Sequence, residues 1–495
     1  MKKIYQFLLL ALVFSACQPE KNALSIGQPT IVSIAAIDNL IKDKGMTDFR
    51  WSMASDEMVW SALQLTDHIA SVGFKTADET NDVENHLHEI DVNDPKWQDA
   101  KRQVLDIIFE EESRLTPSVK RDKMEVFENK ILPIVDVEIK NVNTIRRLRA
   151  SNLVRYTEPM AYEPTPTSLQ QRSDSGCDGN GSDGTLVAGT DYSTVTPGAK
   201  QSWNHSFHQI QQAWAKSTGA GVKVMVIDSG ASPTQENLGS AFNQGSSTGR
   251  TIERTYTLGS ANDACGHGTG MAGLCAAPRG TDGNAVGVAY NCNLVTCRAS
   301  NDVYLNESAE IAAVANAYTL LGNRSDIKIS SMSMGKILGN SQISDAIKYA
   351  YGKGKLIFCA AGTSFGWSAG WFGVIFPANM DEVQSITGVK DYATTNSACD
   401  VCHTGGQVDY VVVMERASNG RHPITTANSG DVPSTIGGSS CATAQCAGMA
   451  ALICSRFPTL TRDQVLNKMT VNSSNYPNKN SSYGWGRINV NNAVQ

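Results

Sequence analysis

Short, almost unbroken apolar runs separated by stretches of helical spacing constrain this chain more than any other feature. Residues 222–228, 327–331 and 356–360 read as strands, and 307–321 and 343–351, which lie between them, read as helices. An alternating strand buries one face, whereas a strand that is apolar throughout must be covered on both. Such strands joined by helices predict a mainly parallel central sheet with helices on either side, an α/β fold in three layers. The pattern starts near residue 186.

The residues before it are organised differently. Residues 97–109 carry apolar side chains at helical spacing, 131–139 read as a strand, 142–149 as a helix, and 153–159 as a strand stopped by Pro159. This is a small α+β unit. Residues 163–185 hold a Pro/Thr-rich stretch and then a Gly/Ser/Asp-rich one, the composition of an exposed linker. Asp178, Asn180, Ser182 and Asp183 offer oxygen ligands, but Asp183 stands where a calcium loop of the EF type needs glycine, and no Glu closes the loop. The stretch reads as a solvated turn, and no metal ligands are assigned.

The first residues read as an export signal. Lys2 and Lys3 precede a short apolar core, too short to span a bilayer, and Ser15 and Ala16 stand before Cys17. The segment Phe14-Ser15-Ala16-Cys17 resembles the lipobox of bacterial lipoproteins. That resemblance implies cleavage after residue 16, a lipid-modified Cys17, a tether over 17–23 and a place in the bacterial cell envelope. The chain has twelve cysteines; without Cys17 the remaining eleven are an odd number, so at least one thiol is left over from intramolecular pairing. Cys399 and Cys402 read as a small loop disulfide. A formal net charge of −6 over 495 residues gives no basic footprint for nucleic acid.

Three segments carry chemistry. The first predicted strand ends in Asp228-Ser229-Gly230, beyond the carboxyl end of a strand, where open sheets bind ligands. Cys265-Gly266-His267-Gly268-Thr269 sets a His between glycines at a helix start. Gly437-Gly438-Ser439-Ser440-Cys441-Ala442 brings serine to the first turn of an apolar helix, where free N–H groups favour developing negative charge. A carboxylate, an imidazole and a hydroxyl are the groups that nucleophilic acyl transfer requires, and here they follow the order Asp, His, Ser.

From about residue 190 onward the chain resembles the subtilisin-like serine peptidases. Asp228-Ser229-Gly230, Gly266-His267-Gly268-Thr269 and Gly438-Ser439-Ser440-Cys441-Ala442 match the family's three motifs. Ser331-Met332-Ser333-Met334-Gly335, Phe376-Pro377-Ala378 and the segment from Gly484 to Asn489 match three further ones. The resemblance implies a serine endopeptidase acting on polypeptides, with Asp228, His267 and Ser440 as the triad and a peptidase domain over 186–495. It also implies that Ser333, Met334, Gly335, Ala361 and Gly362 bind substrate. No organic cofactor is expected, and structural calcium would be in keeping with the family. Residues 135–160 resemble the end of the family's propeptide, which implies that 24–162 is an N-terminal inhibitor removed on maturation. One position departs from the pattern: Ala360-Ala361-Gly362-Thr363 ends in Thr where the family has Asn. The oxyanion donors expected here are therefore Thr363 and the backbone N–H of Ser440. That departure is the sole support for a competing reading, a subtilisin-like protein that binds peptides without cutting them.

Overall fold

The computed structural model describes residues 29–79, 82–164, 177, 180–364 and 373–495. The export signal, Cys17, the tether and Asp178 lie outside them.

The N-terminal unit has one antiparallel sheet. Strands β1 (Ile69–Phe74), β2 (Glu125–Phe127), β3 (Ile134–Glu138) and β4 (Val154–Pro159) pair in the order β2-β3-β1-β4. Helices α1 (Ile34–Lys44), α2 (Asp56–Gln64), α3 (Pro95–Leu115) and α4 (Val142–Ala150) accompany it. Local chemistry fixes α3. Asp94 caps it by accepting from Lys96 N–H, Pro95 sits at the first helical position, and Trp97, Ala100, Val104 and Ile108 bury one stripe.

After a hairpin of β5 (Tyr192–Val195) and β6 (Ala199–Ser202) and the short α5 (Ile210–Ala213), the chain builds a seven-stranded sheet. Its strands are β7 (Lys223–Asp228), β8 (Ile252–Tyr256), β9 (Asn293–Arg298), β10 (Ile329–Met332), β11 (Leu356–Ala360), β12 (Gln384–Lys390) and β13 (Val408–Glu415). They run in the order β13-β12-β11-β10-β7-β9-β8, and every pairing is parallel. Between them come α6 (His267–Ala276), α7 (Ser308–Asn323) and α8 (Ser341–Gly352). The hairpin of β14 (Ile424–Thr426) and β15 (Pro433–Thr435), then α9 (Gly438–Arg456), α10 (Arg462–Val471) and α11 (Val490–Ala493), complete the chain.

The apolar runs feed two cores. Val224 and Val226 of β7 point to the side of α6 and α9, and Met225 and Ile227 to the side of α7 and α8. Phe358 and Ile357 divide in the same way on β11. This two-sided demand is why the strands are apolar at every position. The three-layer α/β fold expected from the sequence is thus the fold observed. The second of these cores runs without a break past α7 and α8 into the N-terminal unit, taking in Val72, Ile134, Val137 and Leu148.

Polar contacts fasten the two parts around α8. Arg155 forms a buried ion pair with Asp345 at 2.5 Å. Glu158 accepts from Ser341 N–H at 2.5 Å and Ser341 Oγ at 3.0 Å, occupying the N-terminus of α8. Gln342 Nε2 donates to Asp136 at 2.9 Å. Beyond β4, Glu163 pairs with Lys336 at 2.9 Å and accepts from Ile337 N–H at 2.9 Å and Tyr304 Oη at 2.8 Å. Glu163, placed by composition in the linker, is therefore docked.

Candidate active site

The end of β7, the strips that follow β10 and β11, and the first turns of α6 and α9 hold the predicted residues. Asp228, the last residue of β7, is buried. Its Oδ1 accepts from Ser229 N–H at 2.8 Å and Ser229 Oγ at 3.3 Å, and meets His267 Nδ1 at 2.8 Å. An ionised carboxylate can only accept, so Nδ1 carries the proton and Nε2 keeps its lone pair.

His267 opens α6, and the turn before it is held by Asp263. One Asp263 oxygen accepts from Cys265 N–H at 2.9 Å and Gly266 N–H at 2.8 Å. The other accepts from Thr269 N–H at 2.9 Å and Thr269 Oγ1 at 2.6 Å. Gly266 has φ +89°, a conformation that favours glycine, and a Cβ there would lie a tight 3.1 Å from Asn180 N. Burial disfavours the imidazolium, but the charge of Asp228 and its hydrogen bond outweigh that, leaving the His267 pKa above its ordinary value.

Ser440 is half-buried at the third position of α9, in the turn whose N–H groups have no partner inside the helix. Ser333 Oγ donates to the Ser440 carbonyl at 3.1 Å. Ser440 and His267 line one cavity of about 580 Å³ together with Ser333, Met334, Gly335, Gly362 and Thr363. Ala361, expected to bind substrate, turns away. It is fully buried, its N–H donates to Ile386 O at 2.8 Å, and its carbonyl accepts from Ile375 N–H at 2.9 Å. Ala360 lines the cavity instead. Gly335 faces the cavity, but its N–H donates to Val303 O at 3.1 Å and its carbonyl accepts from Leu305 N–H at 3.0 Å. The backbone groups of Gly335, a residue expected to bind substrate, are thus engaged by the chain itself.

Sequence reasoning missed a wall of this cavity. Residues 180–185, read as exposed linker, line it. A disulfide joins Cys177 to Cys265, two residues before His267. Asn428 N–H donates to Asn180 O at 2.6 Å, and Asp183 N–H to Pro433 O at 3.0 Å. The Asp183 carboxylate serves as a local anchor. It accepts from Thr185 N–H at 2.9 Å and Thr435 Oγ1 at 3.1 Å, and pairs with Arg421 at 3.0 Å. Nothing in a Gly/Ser-rich composition announces such contacts, which span up to about 250 residues; Cys177 was the single hint. Among the described residues no group of three His, Cys, Asp or Glu side chains could hold a metal ion.

The Cys399–Cys402 disulfide forms as the spacing predicted. Seven described cysteines stay free, all buried. Cys441, beside Ser440, has its thiol pK pushed well up by burial and donates to Gly437 O at 2.8 Å, so it is a packing residue.

Comparison with known proteins bears on the family. The sequence profile of the subtilase family of peptidases matches residues 219–486. Subtilisin DY of Bacillus licheniformis is 30% identical over 281 residues, which cover 56% of this chain and 92% of that protein. Thermitase of Thermoactinomyces vulgaris is 25% identical over 291 residues, covering 58% of this chain and 93% of its own. The crystal structure of fervidolysin from Fervidobacterium pennivorans, a keratinolytic enzyme related to subtilisin, superposes with a TM-score of 0.58. At 16% identity, covering 86% of this chain and 61% of that one, it is a likeness of fold.

Proposed function

Because the chain belongs to the subtilase family, and is a serine-type endopeptidase, we propose that it cuts polypeptides through an acyl-enzyme on Ser440. The observation that supports this most is the buried His267–Asp228 pair at 2.8 Å, in one cavity with a helix-N-terminal Ser440. Ser440 Oγ attacks the scissile carbonyl while His267 Nε2 takes its proton. The imidazolium that forms is stabilised by Asp228, which fixes the tautomer and never itself takes the proton. The tetrahedral oxyanion is met by Ser440 N–H and the Thr363 hydroxyl. His267 then protonates the leaving amine, and water, activated by the same imidazole, frees the acid and restores Ser440. No step requires a cofactor.

The N-terminal unit is, in this reading, an inhibitory propeptide. Its contacts with α8, and the grip of Glu163 on Lys336, Ile337 and Tyr304, support that role. Cleavage between 164 and 177 would free it and leave the Cys177–Cys265 tether on the enzyme. Lipid attachment at Cys17, with residence in the bacterial envelope, belongs to the same proposal and rests on the lipobox alone.

The test is to express residues 18–495 beside a Ser440→Ala form and follow intact mass over hours. Loss of a fragment of about 150 residues from the active form alone is the expected result. If neither is trimmed, an active-site fluorophosphonate applied after limited proteolysis must label Ser440; absence of labelling overturns the catalytic assignment.

A further inference from the structure

The oxyanion strip offers a hydroxyl where the family has an amide, and a hydroxyl has one proton to give. Whether Thr363 can give it to an oxyanion depends on what else claims it. Thr363 Oγ1 lies 2.9 Å from Ser439 Oγ, and either could be the donor. Each oxygen also accepts from one backbone N–H, so each has only its own proton left to place. Gly362 N–H donates to Ser439 Oγ at 3.3 Å, and Ser439 N–H donates to Thr363 Oγ1 at 3.3 Å.

There are two ways to order the protons. If Thr363 donates to Ser439, the Ser439 proton has no partner, and Ser439 is wholly buried at 0% exposed. A buried donor left unpaired is costly. If Ser439 donates to Thr363, the spare proton belongs to Thr363, which is half-buried and lines the cavity beside Ser440. There it meets water in the free enzyme and substrate in the complex. Burial therefore selects the second order, in which Gly362 N–H, Ser439 O–H and Thr363 O–H point in sequence toward the cavity. Each bond polarises the next.

The backbone around this chain is held as well. Ser364 N–H donates to Val401 O at 2.6 Å and His403 N–H to Gly362 O at 3.0 Å, so the loop closed by the Cys399–Cys402 disulfide braces Thr363 on both sides. Gly438, at φ +84°, has no Cβ to meet Thr363 Oγ1, which would lie 3.0 Å from one.

Resting on the catalytic assignment above, we infer that Ser439 is a positioning residue. Its buried hydroxyl occupies the Thr363 lone pair and so commits the Thr363 proton to the oxyanion. The residue beside the nucleophile thus completes a two-hydroxyl substitute for the amide donor, acting through Thr363.

The experiment is a cycle of Ser439→Ala, Thr363→Val and the double variant, in the full chain after maturation, with kcat and KM read separately on a peptide substrate. Thr363→Val is expected to lower kcat roughly 10²- to 10³-fold with KM little changed, as for loss of one oxyanion donor. Ser439→Ala is expected to lower kcat roughly tenfold, again at constant KM, and the double variant to match Thr363→Val alone. Ser439→Thr, which keeps the hydroxyl, is expected to stay within about threefold of the parent. Should Ser439→Ala fail to fold, Ser439→Cys, with its weak S–H donor, takes its place in the cycle. The inference is overturned if the Ser439 variant keeps full kcat, if its loss appears in KM, or if the two losses multiply. A Ser440→Ala control separates this from failure of the catalytic reading: peptide cleavage surviving in that control sinks the triad, whereas a dead control beside an unaffected Ser439→Ala sinks only the inference.

Discussion

Asp228 meets His267 with one oxygen, while its second, Oδ2, is buried without a partner among the described residues. The whole ordering force on the imidazole thus runs through one contact. Asp228→Asn should leave the fold intact and invert the tautomer, since an amide nitrogen donates where the carboxylate accepted. The expected loss in kcat is on the order of 10⁴, the size seen when the corresponding carboxylate of a serine protease is so changed; a loss under tenfold would show the pair to be structural. In the proposed mechanism His267 also sets the acid limb of the pH profile. Its pKa is raised, chiefly by the opposing charge of Asp228 once burial is overcome, and catalysis needs the neutral ring. Activity should therefore fall with decreasing pH through a midpoint above about 6.5, the ordinary histidine value. In Asp228→Asn that midpoint should move down, which a kcat/KM profile between pH 5 and 9 would reveal.

At the scale of elements, the start of α6 is a rigid turn rather than a frayed helix end. Asp263 satisfies three backbone N–H groups and one hydroxyl there. Asp263→Ala orphans all of them beneath a buried histidine. It should cost about 2 kcal/mol or more in stability and lower kcat together with it, as measured by denaturant unfolding and kinetics side by side. The 180–185 strap is a different kind of element, held by a disulfide that spans 88 residues. Cys177→Ser should lower stability by roughly 2–4 kcal/mol. It should also change KM for long peptides while a small ester, too short to reach the strap, is turned over as before. An unchanged KM for long peptides would mean that the strap is a brace and no part of the binding surface.

At the scale of the whole molecule, the proposed propeptide meets the peptidase through carboxylates buried at α8. Burial pushes the Glu158 pKa up to about 7, against the lowering effect of the Ser341 hydrogen bonds and the Lys336 charge. Asp136, desolvated likewise and bonded to Gln342, is also pushed up to about 7. A carboxyl whose pKa is higher docked than free takes up a proton on docking. Docking is then fully favoured below the free value, near 4.5 for Glu158, and is lost as pH rises through about 7. The released unit should bind Ser440→Ala enzyme roughly tenfold or more weakly at pH 8 than at pH 5, with Glu158→Gln flattening the dependence. Binding that tightens with pH would contradict this sign. Arg155 is the contact least able to be spared, because Arg155→Ala leaves Asp345 buried and unpaired, at a cost of about 3–5 kcal/mol to docking.

The sequence by itself determined the three-layer fold, because strands such as 222–228 are apolar on both faces and can be stable only between two layers of helices. It also marked Asp228, His267 and Ser440, because each sits in a local pattern of glycines and small residues that only a crowded turn requires. Local pattern could not tell which of Ala360 and Ala361 faces the cavity, since both are small and the choice is made by the pairing of 361 with Ile386 and Ile375. Nor could it find the strap, whose Gly- and Ser-rich residues are docked by Cys265, Asn428 and Pro433 from far along the chain. The direction of the Thr363 proton lay further out of reach. It follows from the complete burial of Ser439, a property that exists only once α9 has packed against the strip that follows β11.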